Sequence, residues 1–207
     1  MTGHPDKAAA ETSRPTSYAE IVALLPPKPS LFNPSKPVLD AASAADIAAL
    51  LLHPALEAAL HILNDDLPSA HFLVRKMQDK PAFEGILLHA ILHRIEGDYD
   101  ESRQWYERCA SSDLMSEVWE ARNKTSDSSE NLSSALNFVG EVETFSKGTK
   151  SGIVNCEYPF ALQRKQELEA LSEKEFQAIL KWCEKKFGTE KWEDARDEYV
   201  EVLEDVK

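Results

Sequence analysis

The amino-acid sequence predicts an all-α fold, an irregular antiparallel helical bundle of repeat-like helical hairpins preceded by an extended proline-rich arm. From residue 41 onward the apolar residues recur at three- and four-residue spacing, and the connectors between these segments are short and polar. The 207 residues include seven glycines but no Asn-Gly or Asp-Gly pair that would close a β-hairpin. We expect an arm over residues 1–38 and a single domain over residues 39–207, with loops near 123–131 and 148–158.

The arm is predicted from its prolines. Residues 1–38 contain seven of the eleven prolines, whose fixed φ and missing N–H prevent a continuous helix or sheet interior. Residues 18–25 have helical spacing and are predicted to form a short helix. Because the arm also carries apolar side chains that favour burial, we expect it to lie along its own domain; recognition of its LPPKPSLF segment by another protein is the alternative. These apolar side chains are Leu24, Leu25, Leu31 and Phe32.

The helix ends of the domain are predicted from capping signals. Pro54 and Pro68 suit first helical turns, where the missing N–H has no partner in any case. Ser172 and Glu175 have the spacing of a capping box, which predicts that one helix ends before residue 172 and another begins there. The predicted helices cover residues 44–52, 54–63, 67–77, 83–96, 99–110, 114–122, 132–147, 159–171, 173–187 and 192–206.

The segment 83–96 is the predicted centre of the fold. Its apolar residues point in nearly every direction around a helix, which is typical of a buried helix. His89, His93 and Glu96 nevertheless fall on one narrow stripe, because their spacing returns to nearly the same direction, and Gly85 lies on that stripe one turn earlier. We therefore expect a polar group or a close backbone to face this stripe.

Polar side chains near this helix are the candidate site. Five of the six histidines lie between residues 53 and 93, and pairs such as Glu57/His61 and His71/Arg75 are one helical turn apart. If consecutive helices pack antiparallel, these side chains meet in one buried cluster. Such a cluster is a structural hydrogen-bond network, a small-molecule or catalytic pocket in which a buried histidine beside a glutamate acts as general acid or base, or a site where imidazole and carboxylate groups chelate a divalent metal. The catalytic candidates are His89, His93 and Glu96, and the ligand-binding candidates are Glu57, His61, His71, Arg75 and Arg94.

Neither a metal nor a cofactor is predicted from the sequence. The pair His89/His93 lacks the glutamate that directly follows the first histidine in metalloprotease helices. The net charge of −13 and the absence of a Lys/Arg cluster interleaved with aromatics argue against nucleic acid as a partner. No apolar run approaches the length of a membrane span, so no membrane partner is expected. Three widely spaced cysteines and the lack of an apolar leader fit a cytoplasmic protein.

An internal repeat connects two parts of the chain. The segment Tyr99-Asp-Glu-Ser102-Arg-x-x-Tyr106 aligns with the segment that runs from Trp192 to Tyr199, and each follows a glycine that ends a helix. Residues 83–110, and residues 173–206 more loosely, resemble the tetratricopeptide repeat family, whose second helix has glycine, aromatic and small residues at set positions. This resemblance implies helical hairpins in which small residues let two helices approach. Those positions are filled here by Gly97, Tyr99, Ser102, Tyr106 and Cys109.

Two functions remain open from the sequence. The first is a helical protein–protein interaction module of an adaptor kind, which predicts an exposed groove lined by Trp105, Tyr106 or Trp119. The second is a small-molecule-binding protein or an enzyme that uses the His/Glu cluster of helix 83–96, which predicts that these side chains line a pocket. The expected partner is accordingly a protein or a small molecule.

Overall fold

The structure is a computed structural model that describes residues 14–32, 38–123 and 127–193. These residues form an all-α helical bundle, as predicted, and they contain no β-strand. None of the helices in these ranges has the length and apolar character required to cross a membrane. The helices are α1 (Tyr18–Leu24), α2 (Ala41–Ala49), α3 (Pro54–Leu63), α4 (Leu67–Val74), α5 (Phe83–Glu96), α6 (Tyr99–Cys109), α7 (Asp113–Asn123), α8 (Ser128–Lys150) and α9 (Pro159–Phe187).

Consecutive helices pack in pairs, and α9 joins the pairs together. Helix α3 packs on α4, α5 on α6, and α7 on α8, while α9 contacts α3, α7 and α8. Helix α5 lies at the centre, with eleven of its fourteen residues buried, which confirms the prediction from its apolar circumference. The α5–α6 hairpin closes at Gly97, whose φ of 87° is the left-handed conformation that glycine adopts without strain.

The face of α6 that packs on α5 carries the predicted small and aromatic positions. Tyr106 and Cys109 are fully buried, and the Ser102 hydroxyl donates a hydrogen bond to the backbone oxygen of Ala90 at 2.8 Å. At the start of α5, Gly85 packs so closely on Met77 that a Cβ atom there would overlap its backbone. A close backbone therefore faces this part of the polar stripe, which was one of the two expectations.

The described part of the arm lies along its own domain. Ile21 and Leu31 are buried, and the ring of Phe32 packs on that of Phe145 with centroids 5.1 Å apart. The Tyr18 hydroxyl donates to Glu184 on α9 at 2.6 Å. Leu24 is an exception to the prediction, because it is 64% exposed on the outer face of α1. The predicted arm residues 1–13 and 33–37 lie outside the described residues.

Several predicted boundaries are wrong. Helix α2 covers Ala41–Ala49 and not residues 44–52. Residues 159–187 form one continuous helix, because Ser172 and Glu175 face buried side chains of other helices instead of capping a new one. Helix α8 begins at Ser128, capped by Asp127, and runs to Lys150, so residues 128–131 and 148–150 of the two predicted loops are helical. Residues 192 and 193 are not helical, and the rest of the predicted helix 192–206 lies outside the described residues.

Candidate functional site

Three histidines and one glutamate meet where α4 packs on α5. His71 comes from α4, and His89, His93 and Glu96 come from successive turns of α5. Asp66 caps α4 by accepting from the backbone N–H of Ser69, which sets the register that turns His71 toward α5. We refer to these four side chains as the histidine cluster.

The rings of the histidine cluster are in mutual contact. His89 and His93 stack with centroids 4.8 Å apart, and His71 is edge-on to both at 5.1 Å. The Glu96 carboxylate lies 3.1 Å from Nε2 of His71 and 3.8 Å from Nδ1 of His93. The structure therefore brings together all three catalytic candidates and one of the five ligand-binding candidates.

The solvent exposure of the cluster increases from His89, in the interior of the bundle, to Glu96, at its surface. His89 is 4% exposed and its Nδ1 is buried without a hydrogen-bond partner, as is Nδ1 of His93. The side chains of His71, His93 and Glu96 are 12%, 16% and 37% exposed, so solvent reaches the cluster from the Glu96 side.

Trp105 covers the buried end of the cluster. Its ring stacks on His89 with centroids 4.0 Å apart, and the Arg108 guanidinium lies 4.4 Å from the centroid of the tryptophan ring. From the sequence, Trp105 was expected in a protein-binding groove and not beside the histidines. Its position three residues after Ser102 on α6 was the available signal, because that spacing places it beside the face that packs on α5.

Burial determines the protonation of the two α5 histidines. Burial, with a smaller contribution from His93, His71, Arg75 and Arg108, lowers the pKa of His89 to about 3. Burial and the charge of His71 also lower the pKa of His93. Both imidazoles are therefore neutral at pH 7 and each carries one ring nitrogen with a free lone pair.

Glu96 remains a carboxylate in this setting. Burial acts to raise its pKa, but the hydrogen bond and charge of His71, with further charges from His93 and Arg75, lower that pKa below its ordinary value overall. Arg75 itself is exposed at the end of α4, one turn after His71. The predicted ligand-binding residue Arg75 thus contributes charge at the edge of the cluster.

The remaining polar side chains lie in other parts of the bundle. The prediction that all of them meet in one cluster is therefore wrong. Glu57 and His61 lie on α3, where Nδ1 of His61 is 3.0 Å from Asp66 and its Nε2 is 3.9 Å from Glu57. Glu57 and His61 line a cavity of about 400 Å³ beside Phe72, on the α2 side of α4. His53 packs elsewhere again, with its ring 3.4 Å from that of Phe187.

Arg94, predicted as a ligand-binding residue, lies in a buried hydrogen-bond network apart from the histidine cluster. It points away from the histidines because it follows His93 by one residue, a rotation of about 100° on a helix. Its guanidinium donates to Glu175 at 2.6 Å and to the hydroxyl of Tyr106, and that hydroxyl donates to the same carboxylate. All three side chains are buried. The sequence analysis missed Glu175 as the partner because it interpreted that residue as part of a capping box.

A second candidate surface lies where α8 turns into α9. Four of the eight large exposed apolar side chains in the described residues fall within ten positions here, and we call them the apolar end. They are Ile153, Tyr158, Phe160 and Leu162, which are 85%, 67%, 88% and 44% exposed.

The exposed groove that the sequence predicts, lined by Trp105, Tyr106 or Trp119, differs from the observed groove in the residues that line it. Trp105 and Tyr106 are buried under other side chains, so neither lines an open groove. Trp119 does line a groove of about 530 Å³ between α7 and α9, although its own side chain is 3% exposed.

Comparison of the chain with protein-family models, with curated proteins and with solved structures finds no match in any of the three.

Proposed function

We propose that this chain is a helical protein–protein interaction module that binds an apolar face of a helix from another protein at its α8–α9 end. The observation that carries the proposal is the exposure of the apolar end. Large apolar side chains concentrated on one part of a surface are a feature of binding sites, and aromatic side chains such as Tyr158 and Phe160 are typical anchors of interfaces.

A groove lies next to the apolar end. It measures about 690 Å³ and lies between α8 and the first turns of α9, where Val154 and Arg164 line it. Phe160 is one turn before Arg164 and therefore lies on the same face of α9. On α8 the groove follows a stripe at four-residue spacing formed by Leu136, Gly140 and Thr144. A Cβ atom at Gly140 would meet nothing within 4 Å, so the ridge of a second helix has room to approach.

The charges around this groove favour an apolar partner face. Arg164 is held between Glu141 and Glu167, at 3.0 Å from each, and Lys147 pairs with Glu143. Because these charges are paired within the chain, they offer a partner only a small net negative charge, although the whole chain carries −13. The repeat-like hairpins and the resemblance to tetratricopeptide repeats are further support.

The test is quantitative capture of cellular proteins by the full chain and three variants. Phe160→Ser removes an anchor, and Gly140→Leu fills the open groove. Phe72→Ser is the matched control, because Phe72 is 65% exposed on α4, away from this end. We expect wild type and Phe72→Ser to capture the same partner. The affinity of the chain for that partner, once purified, should be lowered about 30-fold by Phe160→Ser, as for an interface hot spot.

Two results would contradict this proposal. One is an identical set of captured proteins for wild type, Phe160→Ser and Gly140→Leu. The other is concentration-dependent self-association in light scattering that Phe160→Ser abolishes, which would make the occupant a second copy of this chain.

A second candidate function is ligand binding at the histidine cluster, and the unpartnered Nδ1 of buried His89 favours it. A buried polar atom without a partner costs about 1–3 kcal/mol, a cost that functional sites tolerate. A thermal-shift screen of wild type and His93→Leu against metabolites and metal ions tests this function. Ligand binding at the cluster is refuted if no compound raises the melting temperature of wild type more than that of His93→Leu.

A further inference from the structure

We propose that His71, His89 and His93 bind one divalent transition-metal ion, with Glu96 at the solvent side of the ion. This proposal deepens the second candidate function above and rests on it. It also goes beyond the sequence, which contains no metal-binding motif and from which chelation of a metal was an open alternative but not a prediction.

The first support is the distance between the ring nitrogens. One nitrogen from each of the three histidines lies within 4.8 Å of the others. Nitrogen ligands at 2.0–2.1 Å from a tetrahedral ion are about 3.4 Å apart, so the nitrogen atoms need to approach one another by up to about 1.4 Å to coordinate it. Small rotations of the side chains supply that movement without a change in the helices.

The second support is the origin of the ligands. His89 and His93 are one turn apart on α5, the spacing at which two imidazoles chelate one ion from a single helix face. His71 comes from α4 and approaches both rings edge-on, at interplanar angles of 89° and 88°. Two ligands on one rigid helix and a third from its neighbour fix an ion with little loss of backbone freedom.

The third support is the lone pairs that the protein leaves unused. Nδ1 of His89 and Nδ1 of His93 are both buried and make no hydrogen bond. A purely structural network would pair these atoms with a neighbouring donor or acceptor, as the Arg94–Glu175 network does for nearly all of its polar atoms.

The chemistry of the ligands selects the class of ion. Neutral imidazoles favour Zn²⁺, Ni²⁺, Co²⁺ or Cu²⁺, whereas Mg²⁺ and Ca²⁺ favour oxygen ligands. The exposed side of the cluster is the route by which the ion enters. The carboxyl group of Glu96 lies on that side, 3.1 Å from Nε2 of His71 and 3.8 Å from Nδ1 of His93, so it is placed to supply either a fourth ligand or a base beside a bound water.

The experiment measures metal binding to the full chain, without an affinity tag, after treatment with a chelator. Calorimetry with Zn²⁺ gives the stoichiometry, and the visible spectrum with Co²⁺ reports whether coordination is tetrahedral. We expect one ion per chain, reversal by chelator, and a higher melting temperature in the presence of Zn²⁺. Stacking of Trp105 on His89 predicts that Co²⁺ or Cu²⁺ also quenches part of the tryptophan fluorescence.

Variants identify the ligands. His71→Gln and His93→Gln replace the two partly exposed histidines, and each should weaken Zn²⁺ binding by at least about 100-fold, since loss of a second-shell partner alone costs 10–100-fold. His4→Gln, at the one histidine outside the described residues, is the control and should bind as wild type does. If a cluster variant fails to fold, ¹⁵N chemical shifts of the histidine rings in wild type identify the coordinating nitrogens directly.

The outcomes separate the metal from the ligand-binding function. Absence of Zn²⁺ and Co²⁺ binding by wild type, or binding that both cluster variants retain, overturns the metal site. If a metabolite then still shifts the melting temperature of wild type but not of His93→Gln, ligand binding at the cluster stands without a metal. If neither a metal nor a metabolite acts, both proposals fail and the cluster is a structural network.

Discussion

Arg94 on α5 and Glu175 on α9 form an ion pair at 2.6 Å in the interior of the bundle, where they are 1% and 3% exposed. Their separation of 81 residues makes this pair one of the contacts by which the long helix α9 is fixed to the centre of the fold. Tyr106 hydrogen-bonds to both partners, so three helices share one polar network.

We expect Glu175→Gln and Arg94→Met each to lower the free energy of unfolding by about 3–5 kcal/mol, because each leaves a buried charge without its counterion. The double variant Arg94→Met/Glu175→Leu should lose less free energy of unfolding than the two single variants lose together, since neither buried charge remains. Urea denaturation measures all three. Glu167→Gln, which removes a partner of Arg164 on the surface, is the control and should leave the urea midpoint nearly unchanged, because an exposed ion pair contributes little to stability. Equal effects at the buried and the exposed pair would contradict the role of the network.

The docked arm predicts opposite results at two neighbouring positions of α1. Ile21 is fully buried, so Ile21→Ala should lower the free energy of unfolding by about 2–5 kcal/mol. Leu24 is 64% exposed on the same helix, and Leu24→Ala should change it by no more than about 0.5 kcal/mol. Deletion of residues 1–38 should destabilise the chain and deletion of residues 1–16 should not. Equal urea midpoints for full length and the longer deletion would refute docking.

Two helical glycines should respond in opposite ways to alanine. Gly85→Ala places a Cβ atom onto Met77, and we expect a loss of at least about 1–3 kcal/mol from overpacking between α5 and the segment after α4. Gly140→Ala places its Cβ in open space within α8, where alanine should add up to about 1 kcal/mol through its higher helix propensity. Thermal and urea denaturation give both values. Stabilisation by Gly85→Ala would show that α5 does not approach Met77 as described.

Acid should destabilise the fold in part through His89. Burial lowers its pKa in the folded chain to about 3, whereas the unfolded chain binds a proton near pH 6.5. The contribution of neutral His89 to stability is therefore complete above pH 6.5 and decreases as the pH falls from 6.5 toward 3, by at most about 1.4 kcal/mol per pH unit. With a chelator present, the free energy of unfolding of His89→Leu should fall less steeply over this interval than that of wild type. Parallel pH profiles would mean that His89 is already solvated in the folded chain.

Helix ends marked by local chemistry were predictable from the sequence. The bounds of α3 and α5 agree with the prediction, because Pro54 fits only a first turn and Gly97 adopts the left-handed conformation that ends a helix. The break predicted at Ser172 was wrong for the complementary reason. Serine and glutamate three residues apart suit a capping box, but they also suit one face of a continuous helix, and only the position of Arg94 distinguishes the two.

The sequence predicted which residues of the candidate site share one face of α5, but not which side chains of other helices join them. Helical spacing alone placed His89, His93 and Glu96 on one face, and burial of α5 followed from its apolar circumference. Spacing along the chain could not decide which of the other histidines meets that face, because the answer depends on how α3 and α4 are rotated about their axes. The structure selects His71 and places His53 and His61 elsewhere.

The sequence by itself thus determined the helical class, most helix bounds, the central buried helix and the polar stripe on it. These properties depend on interactions within about one turn of a helix, which a single sequence contains completely. The tertiary structure alone decided that α9 is continuous, that Arg94 belongs to a structural network, and that a third histidine completes a candidate metal site. Each of these depends on contacts between residues far apart in the chain, whose geometry is set by the packing of whole helices and not by any local pattern.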